Sequence, residues 1–286
     1  MRIHLLVNAR RPDAVEAAKK TASWLRGKGA DVASDAISAP LVGVPPFADL
    51  DMGNCDLVVT FGGDGTLIRA ANHVSEQGTP ILGVYYGRFG FVTQCSGGEV
   101  GAALSEFFDG KSVIEHRMML QTDIIRGNST LAVIHSLNEM VLQRAVATSM
   151  LTFDVFVGAR KISTYPADGL IVCTPTGSTA YNLSAGGPIL DPHVQGITIT
   201  ALAPHTLNSR PFILSPEAVL RVKVHTNGET VLSADGHYRL HLLNEDEVLV
   251  RRSPRTTRLI VVDSEDFLRK LGERLFWSRR HSGDEA

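Results

Sequence analysis

The sequence has few cysteines, no long apolar run and almost no excess of charge of either sign. Its three cysteines, Cys55, Cys95 and Cys173, lie far apart and form no CxxC pair, so they support neither a zinc site nor a disulfide framework. No stretch approaches the roughly 18 apolar residues of a membrane-spanning helix, and the N-terminus does not resemble a signal peptide. Lys plus Arg total 28 and Asp plus Glu 30, a net charge of −2, which argues against nucleic acids and membrane surfaces as partners. We expect a cytoplasmic protein.

The chain has the composition of an ordinary globular protein and the length of two domains. Of its 286 residues 44% are hydrophobic, enough for sizeable cores. In the first third, strand-like and helix-like segments alternate, which predicts a parallel sheet with helices on its faces. The predicted strands are residues 2–8, 56–61 and 80–84, and the predicted helices are residues 12–28, 66–75 and 101–108.

The pattern changes after about residue 113, where strand-like runs meet at short turns. Each turn has Gly or Asn at its centre: Gly127-Asn128, Gly158-Ala159, Asn227-Gly228 and Asp235-Gly236. Asn227-Gly228 separates two strand-like runs and predicts a type I′ hairpin. We therefore predict an α/β domain of residues 1–113 plus 264–286, and a mostly antiparallel β domain of residues 114–263. A helix over 264–277 is expected to end the chain.

The first segment with chemical content is residues 58–66, VVTFGGDGT. A buried strand runs into Gly62, Gly63 and Gly65 around Asp64, and a helix follows. Glycines let the backbone approach an anion, and a helix N-terminus offers unpaired N–H groups. Because a carboxylate repels phosphate, Asp64 fits better as the acceptor of a proton from a hydroxyl that attacks phosphorus. The alternative is a helix N-cap in a βα turn. Neither GxGxxG nor a Walker A motif is present.

Two further segments suggest a nucleotide. In residues 167–188 a buried strand ends in a run of small and hydroxylated residues, where Tyr181 could stack on a purine; an ordinary Gly/Ser loop is the alternative. Asn138-Glu139 is a polar pair inside an apolar strand, which costs desolvation unless a partner or ligand satisfies it. A strand-edge or bulge pair is equally possible there. The ten histidines show no metal-ligand spacing, so we expect no metal bound by the protein.

Taken in order, these segments resemble the NAD kinase family. The similarity covers residues 56–237 and comprises FGGDGTLIRAA, PILGVYYGRFGFVT, HRMML, LNEMVLQR, ADGLIVCTPTGSTAYNLSAGGPIL, APHTLNSRP and SADG. It implies transfer of a phosphoryl group from ATP, or from polyphosphate, to the 2′-hydroxyl of the adenosine ribose of NAD. A divalent cation such as Mg²⁺ would enter with ATP, without a dedicated protein site. The implied fold has a Rossmann-like α/β domain with the GGDG loop, a C-terminal β-sandwich, and a last helix that returns to the first domain. The implied assembly is a homodimer or homotetramer, with the site between domains and subunits.

The resemblance also implies roles for individual residues. Asp64 corresponds to the catalytic proton acceptor, and Asp168 to a carboxylate that holds a dinucleotide from a neighbouring subunit. The implied phosphate or donor contacts are Gly62, Gly63 and Arg69. The implied NAD-binding residues are Asp64, Gly65, Asn138, Glu139, Asp168, Thr176, Thr179, Ala180, Tyr181, Asn182, Leu183 and Ser184. Further implied substrate contacts are Pro166, Asp235 and His237.

Three positions depart from the family pattern. Tyr85, which Tyr86 follows, stands after Val84 where an Asn is usual, and His237 stands where Gln is common. Pro166 occupies a position where some members have an Arg linked to preference for NAD over NADH. Because Pro supplies no charge and no N–H, NADH is included as a possible substrate. The competing interpretations are a lipid kinase that shares GGDGT, a non-catalytic dinucleotide-binding regulator and a Rossmann dehydrogenase.

Overall fold

The computed structural model describes most of the chain and divides it into two compact units. One unit comprises residues 1–116 and 257–286, and the other comprises residues 117–256. None of the described helices combines the length and apolarity that a membrane crossing requires. The described residues are 1–48, 51–86, 90–93, 95–145, 151–206, 208–262 and 266–276.

Strands and helices alternate in the first part of the chain, up to residue 108, and from residue 113 onward most strands follow one another directly. The helices are α1 (Pro12–Gly27), α2 (Ala39–Val42), α3 (Asp64–Val74), α4 (Val100–Phe108), α5 (Tyr181–Ser184) and α6 (Asp266–Phe276), with a 3-10 turn at Thr176–Thr179 before α5. The strands are β1 (Arg2–Val7), β2 (Asp31–Ser34), β3 (Leu57–Gly62), β4 (Ile81–Tyr85), β5 (Cys95–Ser96), β6 (Val113–Arg126), β7 (Ser129–Ser136), β8 (Glu139–Arg144), β9 (Leu151–Val157), β10 (Arg160–Pro166), β11 (Gly169–Cys173), β12 (Ile197–Leu202), β13 (Phe212–Leu214), β14 (Leu220–Thr226), β15 (Thr230–Ala234), β16 (Tyr238–Leu242) and β17 (Glu247–Val261).

The first unit is built on a parallel sheet, as the strand–helix alternation predicts. Its strands lie in the order β2-β1-β3-β4, β5 pairs with β4, and the last part of β17 runs parallel beside β4. Every residue of β3 is buried, because α1 and α3 both contact this central strand. The predicted strands and helices are confirmed to within about two residues, whereas β2 and α2 were not predicted.

Helix α6 packs in the first unit, in agreement with the predicted return of the last helix. Its Phe267 ring lies 6.4 Å from the ring of Phe91. The predicted helix began at 264 and ended at 277, and both of these residues lie outside the described part of the chain.

The second unit is the predicted β-sandwich. One sheet contains β10-β9-β14 and the first part of β17, together with the β6–β7 hairpin, and the other has the order β13-β12-β11-β8-β15-β16. The pairs β6–β7, β9–β10, β9–β14 and β14–β17 are antiparallel, and so are all neighbouring strands of the second sheet. Alternate residues of β9 and β14, such as Phe153 and Val222, meet Met140 and Val172 of the other sheet in one hydrophobic core.

Three of the four predicted turns close hairpins. Gly127 joins β6 to β7 with φ of +57°, and Gly158 joins β9 to β10 with φ of +58°. Asp235 and Gly236, with φ of +48° and +69°, join β15 to β16. Left-handed backbone is what tight hairpin loops require, so Gly is favoured at these positions.

The hairpin predicted at Asn227-Gly228 is wrong. Strand β14 pairs with β9 and β17, whereas β15 pairs with β8 and β16, so the turn carries the chain from one sheet to the other. Both residues are described, and neither has the positive φ of a type I′ turn. The Thr226 hydroxyl closes the turn instead, since it accepts from Gly228 N–H at 3.0 Å and donates to Gly228 O at 2.9 Å. Both flanking strands bury one face in the core, from opposite sheets, and this burial decides their partners.

Strand β11 is buried on both faces, which matters for the loop that follows it. Leu170 and Val172 point into the sandwich core. Ile171 and Cys173 form a separate cluster on the opposite face, against which Ala185 packs. The segment after β11 therefore folds back over this face of the sheet, where α5 contacts β11.

Candidate active site

The Asp64 carboxylate is held by a backbone loop. Asp64 is the first residue of α3, directly after β3. Its Oδ1 accepts from the N–H groups of Val92 and Thr93 at 3.2 and 2.9 Å, and from the Thr93 hydroxyl at 3.1 Å. Its Oδ2 accepts from the Phe91 N–H at 2.7 Å. The N-cap alternative is wrong, because Gly63 is the N-cap residue and the Asp64 side chain leaves the helix for residues 91–93.

Gly90, which was not among the predicted site residues, makes this arrangement possible. A Cβ at Gly90 would overlap the Asp64 carboxylate, so a residue without a side chain must stand here. The one signal for Gly90 in the sequence is its position inside the segment PILGVYYGRFGFVT.

The other residues of the GGDG loop surround Asp64 in different ways. Gly62 ends β3, and a Cβ there would overlap the Thr66 hydroxyl of the first helical turn. Gly63 is half-buried and Gly65 is exposed, and a Cβ at either would meet open space. Arg69 is half-buried in the second turn of α3. The loop thus offers exposed backbone at the helix N-terminus, an arrangement that suits an anion.

In the second unit, Asn138 and Glu139 are buried with polar atoms that the protein leaves unsatisfied. They are 7% and 8% exposed, and within the described residues Asn138 Oδ1 and Glu139 Oε2 have no hydrogen-bond partner. Burial raises the pKa of Glu139 to about 8, and the negative charge of Asp235 adds to the shift, while the Tyr181 N–H opposes it. The bulge or edge-strand alternative is wrong, because β8 pairs on both sides, with β11 and β15, in regular register. The expected place inside a strand is corrected too, since Asn138 precedes β8 and Glu139 is its first residue.

Asp235 fixes the backbone in front of this polar pair. Its Oδ2 accepts from the Leu137 N–H at 2.7 Å, and its Oδ1 accepts from the N–H groups of Asn138 and Glu139 at 2.8 and 3.1 Å. Asp235 N–H in turn donates to the Glu139 carbonyl at 3.0 Å. Asp235 therefore orients the two side chains through their own backbone, and His237 is exposed in the same hairpin loop.

The segment after β11 folds against the same point. Thr174 N–H donates to the Asn138 carbonyl at 2.8 Å, and the Thr174 hydroxyl donates to the Leu137 carbonyl at 2.6 Å. A Cβ at Gly177 would overlap the backbone of Asn138, so Gly177 permits the close approach. Both residues lie in the segment that resembles the family, but no sequence pattern assigns either of them to the site.

The predicted nucleotide loop separates into exposed and buried side chains. Tyr181 is 43% exposed, while its backbone N–H faces the Glu139 carboxyl. Asn182 is fully buried: its Nδ2 donates to the carbonyls of Ser178 and Pro188, and its Oδ1 accepts from the Thr200 hydroxyl. The Asn182 side chain therefore holds the loop together.

The remaining residues of that loop contribute small side chains and backbone. Thr176 is buried, and its hydroxyl lies 3.5 Å from Arg117 Nη1. The Thr179 hydroxyl donates to the Thr176 carbonyl. Ala180, Leu183 and Ser184 line the same turn: Ala180 and Leu183 are half-buried and Ser184 is exposed.

Asp168 and Pro166 lie at the other end of β11. Residues Glu139 and Cys173 pair at one end of the β8–β11 ladder, and Gln143 and Gly169 pair at the other, which separates the two ends by roughly 14 Å at 3.4 Å per residue. Asp168 Oδ2 pairs with Arg144 Nη2 at 2.7 Å.

Asp168 also has a histidine close by. His205 Nε2 lies 3.7 Å from Asp168 Oδ1, and His205 N–H donates to the Pro166 carbonyl. The structure therefore collects Asn138, Glu139 and Tyr181 at one end of the strand pair, and Pro166 and Asp168 at the other.

Two further observations concern metal binding and the tyrosines that depart from the family pattern. Among the described residues, no three His, Cys, Asp or Glu side chains are grouped as metal ligands. Tyr85 ends β4 and pairs with Gly62 in the sheet, while Tyr86 N–H donates to the Gly62 carbonyl at 2.8 Å. The two tyrosines therefore adjoin the GGDG loop through their backbone.

Comparison with known proteins gives one consistent result. The family model described as the ATP-NAD kinase N-terminal domain matches residues 41–112, and the one described as the ATP-NAD kinase C-terminal domain matches residues 137–262. An NAD kinase from Symbiobacterium thermophilum is 37% identical over 275 residues, which cover 95% of this chain and 97% of that protein.

Two solved structures resemble the fold closely. Yeast NADH kinase complexed with NADH has a TM-score of 0.91 and 25% sequence identity, and the match covers 100% of this chain and 89% of that one. An NAD kinase from Archaeoglobus fulgidus in complex with ATP has a TM-score of 0.78 and 21% identity, covering 96% of this chain and 98% of that one. The second similarity concerns the fold alone.

Proposed function

Because the chain belongs to the NAD kinase family, we propose that it transfers the terminal phosphoryl group of ATP to the 2′-hydroxyl of the adenosine ribose of NAD. The product is NADP, so the protein serves NADP biosynthesis. The free thiols Cys55, Cys95 and Cys173 suit a reducing compartment, and we place the reaction in the cytoplasm.

The unsatisfied polar atoms of Asn138 and Glu139 carry the proposal. A buried oxygen without a partner costs free energy, and a ligand that supplies a donor recovers it. Since the pKa of Glu139 is about 8, this carboxyl keeps its proton at neutral pH and can both donate and accept. An adenine edge presents an N7 acceptor beside an N6 amino donor, and a ribose presents hydroxyls. The adenosine half of NAD fits this pair.

Tyr181 and the small residues around it complete the proposed adenosine pocket. The exposed Tyr181 ring offers a face on which a base can stack, and the Tyr181 N–H is already directed at Glu139. We assign Thr176 and residues 179–184 to this pocket, with Asn182 acting through the loop that it holds. Asp235 acts in the same way, through the backbone of Asn138 and Glu139.

Asp64 is the proposed general base. Oδ1 has three donors, whereas Oδ2 accepts a single hydrogen bond from the described residues, so Oδ2 has a lone pair for the 2′-hydroxyl. As the hydroxyl proton passes to Oδ2, the oxygen attacks the γ-phosphorus. The bond from that phosphorus to the bridging oxygen breaks, and ADP leaves with the electron pair. Gly62, Gly63 and Arg69 are the proposed contacts of the donor phosphates, and Gly65 is a proposed contact of NAD.

The donor and its cation enter together in this account. ATP is the proposed donor, and inorganic polyphosphate is the alternative. We propose that a divalent cation such as Mg²⁺ arrives on the donor phosphates, whose charge it neutralises. The described part of the chain holds no group of three His, Cys, Asp or Glu side chains that could bind it.

Pro166 favours NADH as a second acceptor. Its side chain carries no charge, and the nearby Arg144 guanidinium is paired with Asp168. No uncompensated positive charge of these residues would therefore distinguish the cationic nicotinamide ring of NAD from the neutral ring of NADH. The similarity to yeast NADH kinase is consistent with this second acceptor.

A homo-oligomer is the proposed assembly, either a dimer or a tetramer. Asp168 lies at the end of β11 away from Glu139 and Tyr181, and we propose that it holds the dinucleotide bound by a neighbouring subunit. Sedimentation of the purified protein tests this, and a monomer under assay conditions would contradict it.

The function is tested by incubating purified protein with NAD and Mg-ATP and measuring NADP with an NADP-specific dehydrogenase. We expect NADP from the wild type and almost none from the Asp64→Asn variant. A lipid kinase would make no NADP, and a non-catalytic regulator would bind NAD without turnover.

A further inference from the structure

Helix α6 buries a lysine beside the loop that holds Asp64. Lys270 is 0% exposed, a rare environment for an ammonium group. Its Nζ donates a hydrogen bond to the carbonyl of Thr93. A buried cation costs much more desolvation free energy than an apolar side chain of similar length. Packing of α6 alone would be served as well by methionine, so the charge and its donor group require another explanation.

The residue that Lys270 contacts is also the main partner of Asp64. The N–H and hydroxyl of Thr93 both donate to Asp64 Oδ1, while the Thr93 carbonyl accepts from Lys270. All three polar groups of Thr93 are therefore fixed, two of them by Asp64 and one by α6. A rotation of Thr93 that broke the lysine bond would also move both donors away from the carboxylate.

A second contact joins α6 to the other end of the same loop. The Phe267 ring packs 6.4 Å from the Phe91 ring, and the Phe91 N–H donates to Asp64 Oδ2. Phe267 and Lys270 are three residues apart, which places them on one face of the helix. One face of α6 thus contacts both residues that end the row of N–H donors around Asp64.

We infer that Lys270 is a positioning residue for the base Asp64. Through Thr93, its ammonium holds the loop 91–93 so that Oδ1 is filled with donors and Oδ2 is directed at the acceptor hydroxyl. The inference rests on the proposed role of Asp64 in phosphoryl transfer. The geometry of the base would then depend on Lys270, which lies 206 positions later in the chain. Helix α6 must therefore be packed in place for turnover.

The decisive variant is Lys270→Met, which keeps the length of the side chain and removes its charge and donors. We expect kcat to fall by about 10- to 100-fold, the range for a misplaced catalytic group, with KM for NAD unchanged. The matched control is Arg269→Met, which removes a cation from the exposed neighbouring position that pairs with Glu273. This control is expected to keep the wild-type kcat.

Amide hydrogen exchange gives a readout that does not depend on activity. In Lys270→Met the amides of Phe91, Val92 and Thr93 should exchange faster than in the wild type and in Arg269→Met, because the loop that they form around Asp64 is no longer held. Amides of β3 should exchange at unchanged rates. If Lys270→Met does not fold, Phe267→Leu removes the other contact and is expected to produce the same changes to a smaller degree.

Unchanged kcat and unchanged exchange at residues 91–93 in a folded Lys270→Met protein would overturn the inference. A fall in kcat accompanied by an equal rise in KM for NAD, with exchange unchanged, would also overturn it. If the wild type makes no NADP, the proposed function fails, and the exchange rates still decide whether Lys270 positions Asp64.

Discussion

Thr93 gives both of its hydrogen-bond donors to one oxygen of Asp64, its N–H at 2.9 Å and its hydroxyl at 3.1 Å from Oδ1. The consequence is an asymmetric carboxylate. Oδ1 has no lone pair left for a substrate, whereas Oδ2 shares its lone pairs with a single N–H from the described residues. A hydroxyl that approaches Asp64 is therefore directed to Oδ2.

This asymmetry predicts the effect of Asp64→Asn. The amide is nearly isosteric but cannot accept the 2′-hydroxyl proton, so kcat should fall by about 10²- to 10⁴-fold. The affinity for NAD should change little, because the proposed adenosine pocket uses other residues. Single-turnover kinetics and calorimetric titration with NAD measure the two quantities. A folded variant that retained the wild-type kcat would remove Asp64 from the role of base.

Tyr181 is predicted to act through stacking alone. Tyr181→Ala should weaken NAD binding by about 1–3 kcal/mol, the range for a base on an aromatic platform, while Tyr181→Phe should bind as the wild type does. Because Tyr181 is an exposed residue, removal of its ring leaves no core cavity. Calorimetry with NAD on both variants makes the comparison. Equal affinities for the Ala and Phe variants would show that the ring only packs.

Glu139 predicts a pH dependence of stability. Its pKa in the folded protein is about 8, against an ordinary value of 4.5. Between these two pH values the folded chain holds a proton on Glu139 that the unfolded chain has lost. The contribution of Glu139 to the free energy of unfolding is therefore greatest below about pH 4.5 and falls by about 1.4 kcal/mol per pH unit as pH rises towards 8.

Denaturant unfolding of the wild type and of Glu139→Gln measures this contribution. The amide cannot ionise, so the variant should gain stability relative to the wild type between about pH 5.5 and about pH 8, and the comparison cancels the titration of all other groups. A difference between the two proteins that stays constant with pH would mean that Glu139 titrates normally.

Pro166 predicts that NADH is phosphorylated beside NAD. A fixed cation would distinguish the cationic from the neutral nicotinamide ring, yet a single screened charge contributes only about 1 kcal/mol at an effective dielectric near 20. Initial rates with each dinucleotide at saturating Mg-ATP decide the matter. An NADH rate below about a hundredth of the NAD rate, equivalent to ~2.7 kcal/mol, would contradict the prediction.

Much of the fold follows from local patterns in the sequence. The buried strand Leu57–Gly62 and the glycines after it mark a βα turn without any knowledge of the rest of the chain. The turn at Asn227-Gly228 shows the limit, because its local chemistry predicts a turn but the choice of partner strand depends on which sheet buries each face. Register between distant strands is a property of the whole core.

The sequence singles out the residues that are proposed to contact the substrate, but not the residues that hold them in place. Asp64 and Glu139 are marked by charge, Asn138 by a polar side chain in an apolar run, and Tyr181 by its aromatic ring among small residues. Gly90, Gly177 and Lys270 act by letting backbones approach or by holding a loop, and their partners lie 26, 39 and 177 residues away in the sequence. No spacing rule connects such positions in the sequence, because only the folded chain brings them together.

The most direct test of the account is the structure of the product made from NAD and Mg-ATP by the purified wild-type protein. Phosphorus NMR of the isolated dinucleotide distinguishes a phosphate on the 2′-oxygen of the adenosine ribose from one at any other position. The account predicts a single new phosphomonoester at that 2′-oxygen, with one ADP formed for each dinucleotide. A phosphate at another hydroxyl, or ADP release without any phosphorylated dinucleotide, would contradict it.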